Sequence, residues 1–297
     1  MWHTILIFVT REKLMDRYSF LARCMWLLTA AAFGIHHLQG HGSDHVSSSK
    51  FTLLTTLYNE KNKYRATEFI TCMEKNLQHP SIDTIHVLYD ISKDDEQESA
   101  ILHYLKSRNI KISYITERAA FGYFFKIANS EYPHRRIIVS NADIFFNETL
   151  TLLEPCDLHN KFLALTRWDV RNNGALIEFY PLGFSQDVWI FQTPLPPFEN
   201  DAIKMGILGC DPAIAYQAQH SGLMLSNPSL SIQCCHLHRS QIRNYARTYL
   251  PYQNLGKVEP IPKCTIFELD ETQRSLCLDN LYFKAGLNKP LLIADDQ

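Results

Sequence analysis

The sequence predicts one α/β domain in which a mainly parallel central sheet is flanked by helices. Three observations lead there. From Phe51 onward, short apolar runs of strand character alternate with helix-periodic runs at roughly 30-residue spacing, the pattern of βαβ units. At 297 residues, with 46% hydrophobic and 12% aromatic content, the chain can bury a sizeable core. Proline is dense at "TPLPPF" and near Pro260 and Pro262, but no flexible linker, repeat or low-complexity tract separates the halves.

Taken in order, residues 1–48 stand apart. The apolar run "CMWLLTAAAFGI", Cys24 to Ile35, follows Arg17 and Arg23 and has the character of a signal-peptide core or short anchor. It falls short of the ~20 residues an ordinary membrane span needs. It reads either as a targeting or anchoring segment, which would allow membrane association, or as a packed N-terminal helix, and a polar linker follows. The domain proper is 49–297. "FTLLTTLYN" reads as its first strand, "RATEFITCMEKNLQ" as a helix with Phe69, Ile70, Met73 and Leu77 on one face, and "IDTIHVLYD" as the second strand. "DEQESAILHYLKSRN" gives a second helix, "IKISYIT" a strand, "FGYFFKIANSEY" a third helix or turn, and "RIIVSNADIFF" a fourth strand. Thereafter "FLALTRWD" and "DVWIFQ" read as strands, Pro212 to His220 as a helix, and "SLSIQCCHLH" as a short strand.

The formal net charge of −2 excludes a global field that would recruit nucleic acid or an anionic membrane, so any phosphate binding is local. Eight cysteines show no CxxC pairing and read as reduced core thiols.

A parallel sheet binds ligands beyond the carboxyl ends of its strands. That rule gathers Asn59, Glu60, Asp90, Arg118 and Asp143 along one edge. Asp143 stands out because it interrupts two apolar runs, and a carboxylate there must be hydrogen-bonded, paired or on a metal. It reads either as a turn-capping residue or as a ligand of Mg²⁺ or Mn²⁺. In extended chain His236 and His238 project from one face, where they pack or complete a metal site with Asp143. Arg239, Arg243 and Arg247 recur every four residues and, if helical, form either a solvated stripe or a set of bidentate phosphate contacts.

On "VSNADIFFNETLTLL", together with "TLYNE", "FLALTRW", "GFSQDVWIF", "LGCDPAIAYQAQHSG", "NPSLSIQCCHLHRS" and "RNY", the chain resembles the family-two-like GT-A (Rossmann-like) nucleotide-sugar glycosyltransferases from about Phe51 to Tyr245. The resemblance implies transfer of a sugar from a nucleoside-diphosphate donor to an acceptor hydroxyl on a glycan, in glycan biosynthesis, with Mn²⁺ or Mg²⁺ at the diphosphate. It implies that Tyr58, Asn59, Glu60 and Asp90 face the nucleotide, that Lys126 and Asn129 lie near the sugar-phosphate, and that Asn141 and Asp143 hold the two acidic positions of the metal motif. Asn141 departs from that pattern by removing one charge. The family's base lies on an acid at a helix start, which here is Asp211; Asp187 is the rival, as base or as orienter of the acceptor. Asp211 also reads as a helix N-cap. Nucleotide sugars occur in the cytosol and in the secretory lumen, so a cytoplasmic or membrane-associated chain and a Golgi-type luminal one are both open.

Two other readings compete. A sugar-nucleotide nucleotidyltransferase needs a Gly-rich loop after the first strand, and "TTLYNEKNKYRATE" has no glycine. A sugar- or nucleotide-binding module that kept the fold and lost the chemistry is the other, with Trp168 and Trp189 as stacking platforms.

Overall fold

The computed structural model describes residues 49–94, 99–170, 177–179, 183–242, 254–258 and 260. The N-terminal apolar run, Arg243 and Arg247 lie outside the described residues. The first half is a run of βαβ units: β1 (Phe51–Tyr58), α1 (Lys63–Leu77), β2 (Ile82–Asp90), α2 (Ala100–Ser107), β3 (Lys111–Ile115), α3 (Phe121–Glu131) and β4 (Arg136–Ser140). Local chemistry marks the helix starts. Asn62 accepts from the backbone N–H groups of Tyr64 and Arg65, and Ser99 accepts from that of Leu102.

The second half supplies β5 (Ile144–Phe146), β6 (Lys161–Leu165), β7 (Trp168–Val170), β8 (Ile177–Phe179), β9 (Val188–Gln192), α4 (Cys210–His220), β10 (Met224–Ser226) and β11 (Cys234–His236). One sheet has the order β10-β6-β9-β4-β1-β2-β3, the other β5-β11-β7-β8. In the large sheet every pairing is parallel except those of β9 with β4 and β6. The mainly parallel sheet expected from the sequence is therefore present.

Successive residues of its central strands serve opposite cores. Ile138 and Ile190 pack with Phe69 and Met73 on one face, while Ile137, Val139, Trp189 and Phe191 pack with Phe121, Phe124 and Ile214 on the other. A strand covered on both faces reads as a continuous apolar run, which is why "RIIV" and "VWIF" lack alternation.

Two expected strands are broken. "RIIVSNADIFF" is not one strand: β4 ends at Ser140, the chain turns through Asn141–Asp143, and β5 pairs antiparallel with β11 in the small sheet. The turn is closed by Ile144 N–H donating to Asn141 O at 3.3 Å. "FLALTRWD" likewise divides after Leu165, because the Thr166 N–H turns to Asn227 Oδ1 and Ser229 Oγ at 3.2 and 2.7 Å. "SLSIQCCHLH" is a strand only over three of its ten residues, Cys234–His236. Cys72, Cys210, Cys234 and Cys235 are buried free thiols, in keeping with the reduced reading. No helix of the described residues is long and apolar enough to cross a membrane.

Candidate active site

Strand direction assembles the site. β9 runs against its neighbours, so the residue before its start, Asp187, lies at the same edge as the carboxyl ends of β4 and β6. Its backbone bridges them: Asn141 N–H donates to Asp187 O, and Asp187 N–H to Leu165 O, each at 3.0 Å. The small sheet adds the rest. β11 aligns His236 with Ile144 on one side and with Asp169 on the other, bringing Asp143, His236 and Asp169 into one row.

Asp143 is buried, with 7% of its surface exposed, and its partner is not a single group. Its Oδ2 accepts from Arg65 Nη2 at 2.5 Å and from His236 Nε2 at 3.1 Å, with His238 Nδ1 at 3.9 Å. Burial alone would raise this carboxyl; the His236 and Arg65 charges and hydrogen bonds outweigh it and hold it far below the usual carboxylate range. Asp143 is therefore not a turn cap. His236 experiences the converse. Burial would favour the neutral ring, but Asp143 and Asp169 carry it up to about 9.

The rings are committed on their far sides. His236 Nδ1 meets Asp169 Oδ1 at 2.6 Å, and His238 Nε2 donates to Ile242 O at 2.9 Å. Each therefore turns its other nitrogen toward Asp143, the arrangement by which carboxylates and carbonyls orient metal-ligating imidazoles. Burial and the Arg65 charge lower His238, keeping that ring neutral. One carboxylate oxygen and two imidazole nitrogens lie within 4.8 Å of one another, so Asp143, His236 and His238 can hold a metal ion.

Beside this cluster lies a second one. Asp187 Oδ1 accepts from Asn141 Nδ2 at 3.0 Å, and Asp187 Oδ2 from Arg167 Nη1 at 3.3 Å. Arg167 also donates through Nε to Asp169 Oδ1 at 3.0 Å and so ties the two clusters together. Asn141 thus faces Asp187; it is not a second ligand around Asp143.

Asp211 is not the N-cap. Gly209 holds that place at φ 87°, and Asp211 sits in the first turn of α4. Its carboxylate accepts from Gln186 N–H at 3.3 Å and from the Cys210 thiol at 3.0 Å. Protein surrounds the carboxyl on nearly all sides, while the residue as a whole keeps partial solvent access. Burial, and then the charge of Asp187, push it up to about 7. Gly206, at φ 72°, is packed by Arg118, whose Nη1 donates to Gly206 O at 3.2 Å; here glycine serves the turn.

The remaining expected residues divide. Tyr58 donates to Glu60, and Glu60 accepts from Asn62 N–H, a small network after β1. Asn59 beside it is buried, and its Nδ2 has no hydrogen-bond partner among the described residues, an unmet donor at the ligand-binding edge. Asp90 caps the short turn Ile91–Lys93 through Ser92. Asn129 belongs elsewhere. Its amide clasps both backbone groups of Leu195, beyond β9 and level with the start of β4, at the opposite end of the sheet from Asp143. Lys126, one turn earlier on α3, is exposed. The sugar-phosphate placement of these two is therefore corrected: their helix ends at the wrong edge. Arg239 is exposed in a turn and does not open a helix among the described residues.

Three residues went unforeseen: Arg65, Arg167 and Asp169. Arg65 carried a signal, since it precedes Phe69 and Met73 by one and two helical turns on the apolar face of α1, where an arginine needs a buried partner. A cavity of about 540 Å³ opens by α1 among Tyr64, Lys75, Phe145, Arg239 and Ser240, and none of Asp143, Asp187 and Asp211 lines it.

The sequence matches no protein-family description and no curated protein. Among solved structures, the fold is similar to that of the mannosyltransferase PcManGT from Pyrobaculum calidifontis in complex with GDP-Man and Mn²⁺, at 14% identity over 74% of this chain and 68% of that one, TM-score 0.43. It is similar to S. aureus TarS at 15% identity over 79% and 43% of the two chains, TM-score 0.39. GalNAc-T7 with UDP, GalNAc and Mn²⁺ gives 10% identity over 69% and 45%, TM-score 0.46. The likeness is to GT-A glycosyltransferases, and the chain spans less than half the length of the last two.

Proposed function

We infer that the protein transfers a sugar from a nucleoside-diphosphate donor to an acceptor hydroxyl on a glycan, with a divalent ion at Asp143, His236 and His238. The observation that carries this reading is the convergence, at the ligand-binding edge of a parallel sheet, of a carboxylate and two imidazoles whose far nitrogens are already engaged. Two imidazoles favour Mn²⁺ over Mg²⁺, which prefers oxygen donors. The ion, when bound, supplies charge to offset the departing diphosphate.

The chain's own groups supply the rest. Tyr58, Asn59, Glu60 and Asp90, at the ends of β1 and β2, form the nucleotide side. Asp211 accepts the proton of the acceptor hydroxyl: a carboxyl near 7 is a stronger base than an ordinary one and is still half ionised at neutral pH. Asp187, fixed by Asn141 and Arg167, keeps the Asp211 carboxyl raised and orients the acceptor.

Thermal shift with UDP, GDP, ADP and CDP, each with and without Mn²⁺, tests donor and metal together. One nucleotide is expected to raise the Tm, and more so with Mn²⁺. No shift with any nucleotide refutes the donor reading, and equal shifts refute the metal. Asp211→Asn is expected to lower kcat by ~10² to 10⁴. If Asp187→Asn abolishes turnover and Asp211→Asn does not, the base is Asp187.

A further inference from the structure

We propose that Arg65 is a built-in rival of the divalent ion at Asp143, so that the ion is taken up only together with an anionic diphosphate. This rests on the reading of Asp143, His236 and His238 as the ion's donors.

The Arg65 guanidinium is not a passing surface contact. It is buried, with Nη2 on Asp143 Oδ2 at 2.5 Å, Nη1 on Glu68 Oε2 at 2.9 Å, and its Cζ 4.6 Å from the Phe69 ring centroid. Glu68 is itself anchored, accepting from Ser240 N–H at 2.7 Å and from Ser240 Oγ at 2.9 Å. The arm that carries the charge is thus braced from α1 and from the segment that follows His238. Arg65 Nη2 and His236 Nε2 together engage Asp143 Oδ2. A dication entering among Asp143, His236 and His238 meets a permanent positive charge on the one carboxylate of that donor set, and the nearby position 141 holds an amide engaged with Asp187. The diphosphate reverses this balance: its negative charges compensate ion and guanidinium at once, and phosphate is a natural bidentate partner for arginine. Ion and diphosphate then raise each other's affinity by one and the same factor.

The test measures free Mn²⁺ by electron paramagnetic resonance while the full chain is titrated with Mn²⁺ alone, and again with saturating UDP or GDP. Wild type is expected to bind Mn²⁺ about 5- to 150-fold more tightly with the nucleotide that it accepts. Arg65→Gln, checked for folding by near-UV circular dichroism, is expected to bind Mn²⁺ alone more tightly than wild type by a similar factor and to lose most of the coupling. If that variant does not fold, Arg65→Lys, with a point charge on a shorter reach, is expected to shift the same way by less. Equal Mn²⁺ affinity with and without nucleotide in wild type overturns the proposal and leaves the metal site standing. Coupling that survives unchanged in a folded Arg65 variant also overturns it. No Mn²⁺ uptake under either condition overturns both the proposal and the metal reading.

Discussion

An amide stands at position 141 because its neighbour is already a carboxylate. Asn141 Nδ2 donates to Asp187 Oδ1 at 3.0 Å, and a second carboxylate there would put two like charges at hydrogen-bonding distance. Asn141→Asp is therefore expected to destabilise in a pH-dependent way. The new pair shares a proton at low pH, its folded-state affinity for that proton is raised, and the associated stability is lost as pH rises. Melting temperatures at pH 5 and pH 8 check this; a deficit of the same size at both pH values would show that the amide contact carries no electrostatic role. Asp143→Asn behaves differently. It removes one of the two carboxylates around a buried guanidinium, and breaking such a pair costs about 3 to 5 kcal/mol. Urea unfolding is expected to show that loss, and a variant as stable as wild type would mean that Glu68 alone satisfies Arg65.

Helix α1 is the element that presents the site, and it does so with polar residues on an otherwise apolar face. Arg65 holds Asp143 just before β5, and Asn76, three turns later, donates to Ile144 O at 2.9 Å and accepts from Phe146 N–H at 3.1 Å. Asn76→Ala leaves two buried backbone groups of β5 without partners, at about 1 to 3 kcal/mol each. It is expected to lower the urea midpoint and to speed amide exchange in β5 more than in β4; uniform exchange would place the effect elsewhere. The same element shows what a sequence can and cannot disclose. The βαβ order, most strand starts, Asp143 and the histidine pair were legible, because periodicity and isolated charge in apolar surroundings are local signals. The breaks at Asn141 and Thr166 were not, since they depend on hydrogen bonds to Asp187 and Asn227, distant in sequence. Arg167 and Asp169 stayed hidden for that reason: only the pairing of β7 with β11 sets Asp169 against His236. Asn129 and Lys126 misled because a helix before a strand looks the same whichever end of the sheet its residues reach.

At the scale of the whole molecule, stability and turnover should register one titration. In the folded chain burial and the Asp187 charge hold the Asp211 carboxyl near 7, against 3.8 for an ordinary aspartate. Between those values the folded protein binds one proton more than the unfolded chain. Stability from this group is thus fully present below pH 3.8 and is lost as pH rises toward 7. The full shift corresponds to roughly 4 kcal/mol as an upper bound, and the residue's partial solvent access reduces it. Asp211→Asn removes the ionisation while keeping the shape. Its Tm relative to wild type is therefore expected to climb from pH 4 to pH 7 and to level off above. The rate carries the opposite sign: wild-type kcat/KM rises tenfold per pH unit below about 7, as the carboxylate forms, and then reaches a plateau, whereas the low residual rate of Asp211→Asn lacks that step. A Tm difference that stays flat from pH 4 to pH 8 would remove Asp211 as a strongly raised acid. A pH–rate step that persists in the variant would assign the proton to another group, with Asp187 the next to test.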